Sequence, residues 1–437
     1  MGLLVPGRGP TVSREEALEA LENIEPSRCP CDVVIWLALP PEGEQPNDHL
    51  YAINISGGGY GGLLVSNRTR IPGLVSIYDV APTMKALQEG RDPPVTYRRD
   101  ANAPARLDAL SRRLNDVDRS RTPAAVALAV VIAAFALLSV ALRSATFGRA
   151  ALLAIPVGLS TGLALSALEV TKPWTAVPLL FLLTAAGALG LAVVTKNRYA
   201  FAACLLAIFP VYLVVLGISQ ETSSLAVIGP RPENGGRFYG FNNQLETLAL
   251  APALLGAYLL GARLLPAAGL LAVVTVGASF AGADGGGVLV LLAGLLVLWL
   301  RLRGVPLTLR NLALTGAAVV VLGLLLVGLD AAFGGESHVT RSIGGGPAQL
   351  AEDIGDRLIA SARGVGSTWH SALVVGVSIP VLAWVALRRP RYAVLDALLV
   401  AIAVSLIVND APREVSGFGA LSALALRFWH ETAERLE

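Results

Sequence analysis

From residue 122 onward the chain repeats one pattern: an apolar run near membrane-spanning length, a short polar turn, then another run. About 20 apolar residues form a helix that crosses ~30 Å of hydrocarbon, and a backbone in lipid must satisfy its own hydrogen bonds. Each run is therefore read as a helix. The candidates lie at 122–142, 150–168, 175–195, 199–218, 244–262, 265–281, 285–300, 311–329, 371–387, 392–409 and 415–429. The sixth, seventh and eleventh are short, which leaves tilted, re-entrant and interior placements open, so about 10–12 crossings are expected. The fold class is an all-α polytopic membrane protein with a small α/β N-terminal extramembrane segment. Charged residues are 15% of the 437 and the net charge is +2. A soluble domain carries roughly 25% charge. A soluble enzyme, a disordered chain and a nucleic-acid binder relying on a basic field are excluded.

Three regions follow: an α/β segment at 1–100, a basic juxtamembrane linker at 101–121, and a helical membrane domain at 122–429 with a long outer loop at 330–370. In the first, Ser13 to Glu16 reads as a capping box that opens a short helix. Asp32 to Leu39 reads as a buried strand, ended by Pro40 and Pro41. Tyr51 to Ser56 and Gly62 to Val65 read as two more, joined by the glycine turn Gly57 to Gly61. That glycine run has no Lys-Ser/Thr and no following helix, so it is not a phosphate cradle. Asp79 to Leu87 reads as a helix with Asp79 at its cap and Pro82 in the first turn. Residues 91–121 are arginine-rich and short of apolar groups: a linker or a juxtamembrane helix. Cys29 and Cys31, one residue apart, lack the second half of a zinc site. Cys204 reads as core. No metal site is expected, and no cofactor is assigned.

Orientation follows from arginine and lysine. One set of short loops, from Arg143 to Arg391, carries eleven basic residues; the opposite set, from Lys172 to Arg413, carries seven in longer stretches. The first set is expected in the cytoplasm and the N-terminal segment outside. Arg106, Arg112, Arg113, Arg119 and Arg121 oppose this, since arginines before a first span are normally retained inside. Met1 to Gly7 also lacks the basic leader and apolar core of a signal peptide. Two resolutions stand. Either the chain is the C-terminal part of a longer protein or begins at a misassigned start, or one span is miscounted and the N-terminal segment is cytoplasmic. Three lysines among 34 basic residues fit a GC-rich coding bias, and a multi-pass protein of a bacterial inner membrane is expected.

The stretch Gly62 to Thr83, with Gly73-Leu74-Val75 followed by Asp79-Val80-Ala81-Pro82-Thr83, resembles the closing part of alkaline-phosphatase/sulfatase-like domains. The resemblance covers roughly residues 30–90 and implies a strand that feeds a helix start. It also implies a Ser/Thr nucleophile and Asp/His metal clusters, which this chain does not supply. Asp48-His49 is the one Asp-His pair before the membrane, and one pair cannot build a two-metal site. The segment reads as such a domain's tail without its catalytic half.

Four polar clusters border the spans. The first runs from Arg231 to Glu246 and holds Arg237, Asn242, Asn243 and Glu246; a carboxylate at the mouth of an apolar helix is costly unless paired or functional. The plain alternative is an arginine–glutamate pair that locks the loop to the bundle. The second is Asp284 among Gly282 and Gly285 to Gly287, either a broken helix of the transporter kind or a tight polar turn. The third is the outer loop, with His338 as the candidate acid/base group and Arg341 as an anion binder. Residues 347–362 within it read as an amphipathic helix. The fourth is Asn409 and Asp410.

Together they suggest one outward pocket for a lipid-linked phosphate or glycan. His338, Glu246 and Asp284 are the catalytic candidates. Arg237, Asn242, Asn243, Arg341, Asn409 and Asp410 are the substrate-binding ones. A transporter is the alternative, with Asp396 as its mid-span acid; a non-catalytic anchor or partner of an envelope protein is the other. Membrane lipid is an expected partner and nucleic acid is not.

Overall fold

Every apolar run from residue 122 onward is helical in the computed structural model, which describes residues 1–5, 33–38, 50–234, 237–332, 355, 359, 361–366 and 368–433. Before the helices stands a small β-rich unit. Its strands are β1 (Gly2–Val5), β2 (Val34–Leu37), β3 (Tyr51–Ser56), β4 (Leu63–Ser66), β5 (Leu74–Ser76) and β6 (Val95–Arg98), with one helix, α1 (Val80–Gln88). One sheet has the order β2-β3-β1-β5, with β1 antiparallel to β3 and parallel to β5; β4 and β6 pair antiparallel in a second. The brief apolar run at the start is thus the inner strand of a sheet, with Leu4 buried against Ile53, Ile55, Leu64 and Val75.

Two local expectations change here. Asp79 stands at the N-cap position of α1, yet its side chain caps nothing. It accepts instead from Ser66 Oγ at 2.6 Å and Arg68 Nε at 2.7 Å. The buried Arg68 pairing is worth more to a carboxylate than one amide bond. Of the two readings of residues 91–121, the linker gives way to the juxtamembrane helix. These residues form β6 and then enter α2 (Ala103–Ala141), a single 39-residue helix of about 58 Å. Leu110, Leu114 and Val117 recur at helical spacing among its charges and pack with Ile71 and Leu74 of the β-rich unit and Leu225 and Phe238 of the bundle. Three apolar residues among many arginines are easily missed by composition, but they suffice for one stripe.

The remaining helices are α3 (Ala145–Ala167), α4 (Pro173–Val194), α5 (Arg198–Leu206), α6 (Ile208–Ile218), α7 (Gln220–Ser224), α8 (Asn243–Leu260), α9 (Leu265–Gly277), α10 (Gly285–Leu302), α11 (Leu309–Ala332), α12 (Trp369–Leu387), α13 (Ala393–Val408) and α14 (Pro412–Ala433). Among the described residues, seven helices are long and apolar enough to cross a membrane, α2 being one of them and α5 and α6 being taken as one. The break between those two precedes Pro210, whose ring and missing N–H disfavour the preceding turn. Of the three short runs, only the sixth stays short. The seventh extends to 18 residues and the eleventh to 22. Buried side chains of α3, α8, α10, α13 and α14 form the core, while α4, α11 and α12 keep most of their apolar surface outward.

Aromatic side chains mark the two membrane levels, as amphipathic rings do. At the opposite end from the β-rich unit, Tyr199, Trp299 and Trp384 each stack with an arginine, at 4.6, 5.2 and 4.7 Å. At the near end, Trp174 lies under Lys172, and Phe280 and Trp369 are exposed. The β-rich unit touches the loops at 219–242 and 278–284, so it shares their face of the bundle. Its opposing arginines have local partners: Arg106 pairs with Asp100, Arg113 with Glu169 and Glu221, and Arg121 with Glu233. They act as anchors of this face.

Candidate functional site

The polar sequence at the mouth of α8 starts as helix chemistry. Asn242 is its N-cap: Oδ1 accepts from the Leu245 amide at 2.9 Å, and Nδ2 donates to the Gly229 carbonyl at 2.7 Å. Both of its polar ends are thereby used in holding the loop to the helix. Glu246, one turn later, points the other way, into the bundle, and is 1% exposed. Ser405 Oγ donates to its Oε1 at 3.1 Å and Asn409 Nδ2 to its Oε2 at 2.7 Å. Asn409 also donates to Ser405 Oγ at 2.8 Å, so the end of α13 and the start of α8 share one network. Beside it, Asn243 Nδ2 donates to Asp410 Oδ1 at 2.9 Å, nearer to solvent.

Asp284 belongs to a turn rather than to a broken helix. Gly269 faces Leu295 and Gly277 faces Val288, which makes α9 and α10 an antiparallel hairpin. Its turn is pinned by the amides of Gly282 and Asp284, which donate to the Thr275 and Val276 carbonyls at 2.9 Å. Asp284 itself is 2% exposed. Arg237 lies over it: one nitrogen donates to Asp284 Oδ1 at 3.2 Å and another to the Ala283 carbonyl at 3.1 Å. The arginine of this loop therefore pairs with Asp284 and not with Glu246. The other oxygen, Asp284 Oδ2, has no hydrogen-bond partner among the described residues.

Backbone geometry brings the two loops into register. The Phe241 amide donates to the Gly282 carbonyl at 2.9 Å. Gly240 makes that approach possible. Its φ is +81°, and a Cβ there would sit 2.1 Å from the Gly282 oxygen. A side chain on Gly286 would meet Asn409 Oδ1 at 3.0 Å, and one on Gly287 would meet Asp284 Oδ2 at 3.0 Å. The glycines after Asp284 thus leave room for polar oxygens to close in on the start of α10.

Arg237, Glu246, Asp284, Asn243, Asn409 and Asp410 are thus brought to one face, at the mouths of α8, α10 and α13. Glu246 lies within electrostatic range of both Asp284 and Arg237. Two buried carboxyl groups within range of one arginine, which bonds to only one of them, are a costly arrangement in a poorly solvated place. Among the described residues, no three His, Cys, Asp or Glu side chains gather to hold a metal. His338 and Arg341 lie outside the described residues, as do Cys29, Cys31, Asp48 and His49 and most of the helix expected at 347–362.

Sequence reasoning missed Ser405 and Ser361. Ser405 had a signal: a lone hydroxyl in an apolar run, one helical turn before Asn409. Ser361, whose Oγ donates to the Asn409 carbonyl at 3.1 Å, had none. Asp396 is not a mid-span acid. It stands in the first turn of α13, at the opposite membrane face, 3.0 Å from Arg301. About 20 Å of helix separates it from Asn409.

No family model matches the chain, and neither any curated protein nor any solved structure is similar to it. The chain is a polytopic membrane protein, and its chemistry is argued from the site alone.

Proposed function

We propose that this chain is an envelope enzyme that acts on a lipid-linked phosphate or glycan from the outer leaflet of a bacterial inner membrane. One observation carries the reading: acids, amides and an arginine from three separate loops converge at one end of the bundle. Glu246 or Asp284 would take a proton from an acceptor hydroxyl, the usual work of a carboxylate base. Arg237 would hold an anionic group, and Asn243 and Asp410 would bind at the rim. The eleven basic residues of the opposite loops support an extracytoplasmic placement of this end. The β-rich unit, read as a phosphatase-like tail without its catalytic half, would serve as a cover.

Transport is less well supported. Between Asn409 and Asp396, α13 carries only Ser405 as a further polar side chain, and α10 carries none between Gly287 and Trp299. A polar path through these helices has nothing to run on.

The test is turnover by the purified chain in nanodiscs doped with polyprenyl phosphates and polyprenyl-diphosphate sugars. Glu246→Gln and Asp284→Asn should each cut turnover about 100-fold or more. Absence of binding and turnover with every such lipid would sink the proposal. Cysteine labelling at Gly90 and Asp410 from either side of sealed vesicles tests the orientation.

A further inference from the structure

Besides the apolar packing of Ile71 and Leu74 against Phe238, the β-rich unit reaches the site through one polar side chain. Arg70 follows the turn after β4, and its NH1 donates to the Ser279 carbonyl, in the α9–α10 turn, at 3.2 Å. Its guanidinium also lies 4.0 Å from the ring centre of Tyr239, two residues from Arg237. One cation therefore spans both loops that form the Arg237–Asp284 pair. Among the described residues the loops are also joined by the Phe241–Gly282 backbone bond, by Arg237 itself and by Gln220, whose Nε2 donates to the Phe280 carbonyl at 3.0 Å. Ser279 is buried and Arg70 is half-buried, so the contact is shielded from water.

The backbone of Arg70 adds an independent sign. Its φ is +55°, a left-handed conformation that brings any Cβ close to a carbonyl oxygen and that glycine or asparagine would adopt more readily. Asn67, in the same turn, has a helical-tolerant side chain, yet the left-handed position is given to an arginine. A strained residue is kept where its side chain does something a freer one cannot. Here the guanidinium makes a directed bond and a face-on ring contact at once, which its planar fork permits.

We propose that Arg70 is a positioning residue for the Arg237–Asp284 pair, through which the β-rich unit sets the spacing of the two loops. The inference rests on the reading of that pair as the functional site only for its consequence. Its physical content, that Arg70 holds the loops together, is independent of any substrate. In this role the β-rich unit regulates the site by contact, with no chemistry of its own. Releasing Arg70 would let the turn at 278–284 move away from Arg237.

Hydrogen exchange on the full chain in nanodiscs decides this. The peptides to follow span 237–243 and 278–285, whose amides at Phe241, Gly282 and Asp284 are bonded in the closed arrangement. Arg70→Ala should speed exchange in both at least tenfold, and Arg70→Lys should restore part of the protection. Tyr239→Leu removes the ring without touching the β-rich unit and should act in the same direction. Arg68→Ala breaks the ion pair to Asp79 inside the β-rich unit and should leave both peptides as in the wild type. Unchanged exchange in Arg70→Ala overturns the proposal. Equal acceleration by Arg68→Ala also overturns it, since general loosening of the unit would then explain the effect. Faster exchange with no turnover of lipid-linked phosphates or glycans by the wild type leaves Arg70's role standing and removes the enzyme reading alone.

Discussion

Helices α10 and α13 each carry polar groups at both ends, and the two ends are built differently. At the end away from the β-rich unit, Arg301 lies 3.0 Å from Asp396 without a hydrogen bond from its Nε, whereas nearby Arg427 is saturated: it donates to Glu431 at 2.7 Å and to the carbonyls of Arg389 and Pro390. At the other end, Arg237 pairs with Asp284 alone, Glu246 is held by neutral donors from Ser405 and Asn409, and Asp284 Oδ2 has no hydrogen-bond partner among the described residues. Buried charge that is fully matched fixes a structure. Buried charge that is left partly unmatched stores a preference for something that arrives. The contrast teaches which arginines to read as bolts: Arg427 and Arg121, the latter bonded to Glu233 and to the carbonyls of Ser224, Ala226 and Gly229.

The largest expected effect lies at the matched end. Arg427→Ala leaves the Arg389 and Pro390 carbonyls without their donor and Glu431 with Arg388 alone, and should cost about 3 kcal/mol, read from denaturant unfolding in detergent. Gly240→Ala comes next: a left-handed φ and a collision with the Gly282 carbonyl should cost at least about 1–2 kcal/mol. It should also lower site function, because the loops can no longer meet. Asp284→Asn sharpens the comparison most. It should change stability by less than about 1 kcal/mol, since the amide removes the desolvation cost of the unbonded Oδ2 and so offsets the lost pairing with the part-exposed Arg237, while cutting the proposed turnover. If Asp284→Asn destabilises as strongly as Arg427→Ala, the two ends are the same kind of structure and the distinction fails.

The smallest effect concerns acid. Asp100 accepts from Arg106 at 2.8 Å, and that bond holds its carboxyl below the ordinary value of 3.8. A carboxylate whose folded value is lowered stabilises above its unfolded value and loses that contribution as pH falls through the folded one. Melting temperatures of wild type and Asp100→Asn should therefore differ slightly at neutral pH and converge below the ordinary carboxylate range. The pair is on the surface, so the difference should also shrink in high salt.

The helices were legible because lipid imposes a length and an apolar surface on each of them. Even α3, whose interior is buried in protein, keeps that signature. Tyr51–Ser56 was legible as a strand because of its alternation and the glycines after it. β6 was not, since Val95-Thr96-Tyr97-Arg98 is four residues in a charged stretch and exists through its pairing with β4. At the site, the polar residues announced themselves by being out of place beside apolar runs. Their partners did not. Nothing local in Arg237 separates Asp284 from Glu246 as its mate, because that choice depends on where the α9–α10 turn lands. Asp396 is only the fifth residue of the run at 392–409, so its place near a membrane face could be counted from the sequence; its partner Arg301, 95 residues earlier in the chain, could not.

Helix α2 runs unbroken from the β-rich unit through the bundle, with Leu110, Leu114 and Val117 on one side and Leu128, Ile132 and Phe135 buried further along. It works as an axle with a fixed angular setting. Adding or deleting one residue between Val117 and Ala124 would turn everything N-terminal to it by about 100° about the axis. Arg70 would then swing off the loops it touches, with every local sequence intact. For this molecule the count of residues along that stretch carries as much information as their identity.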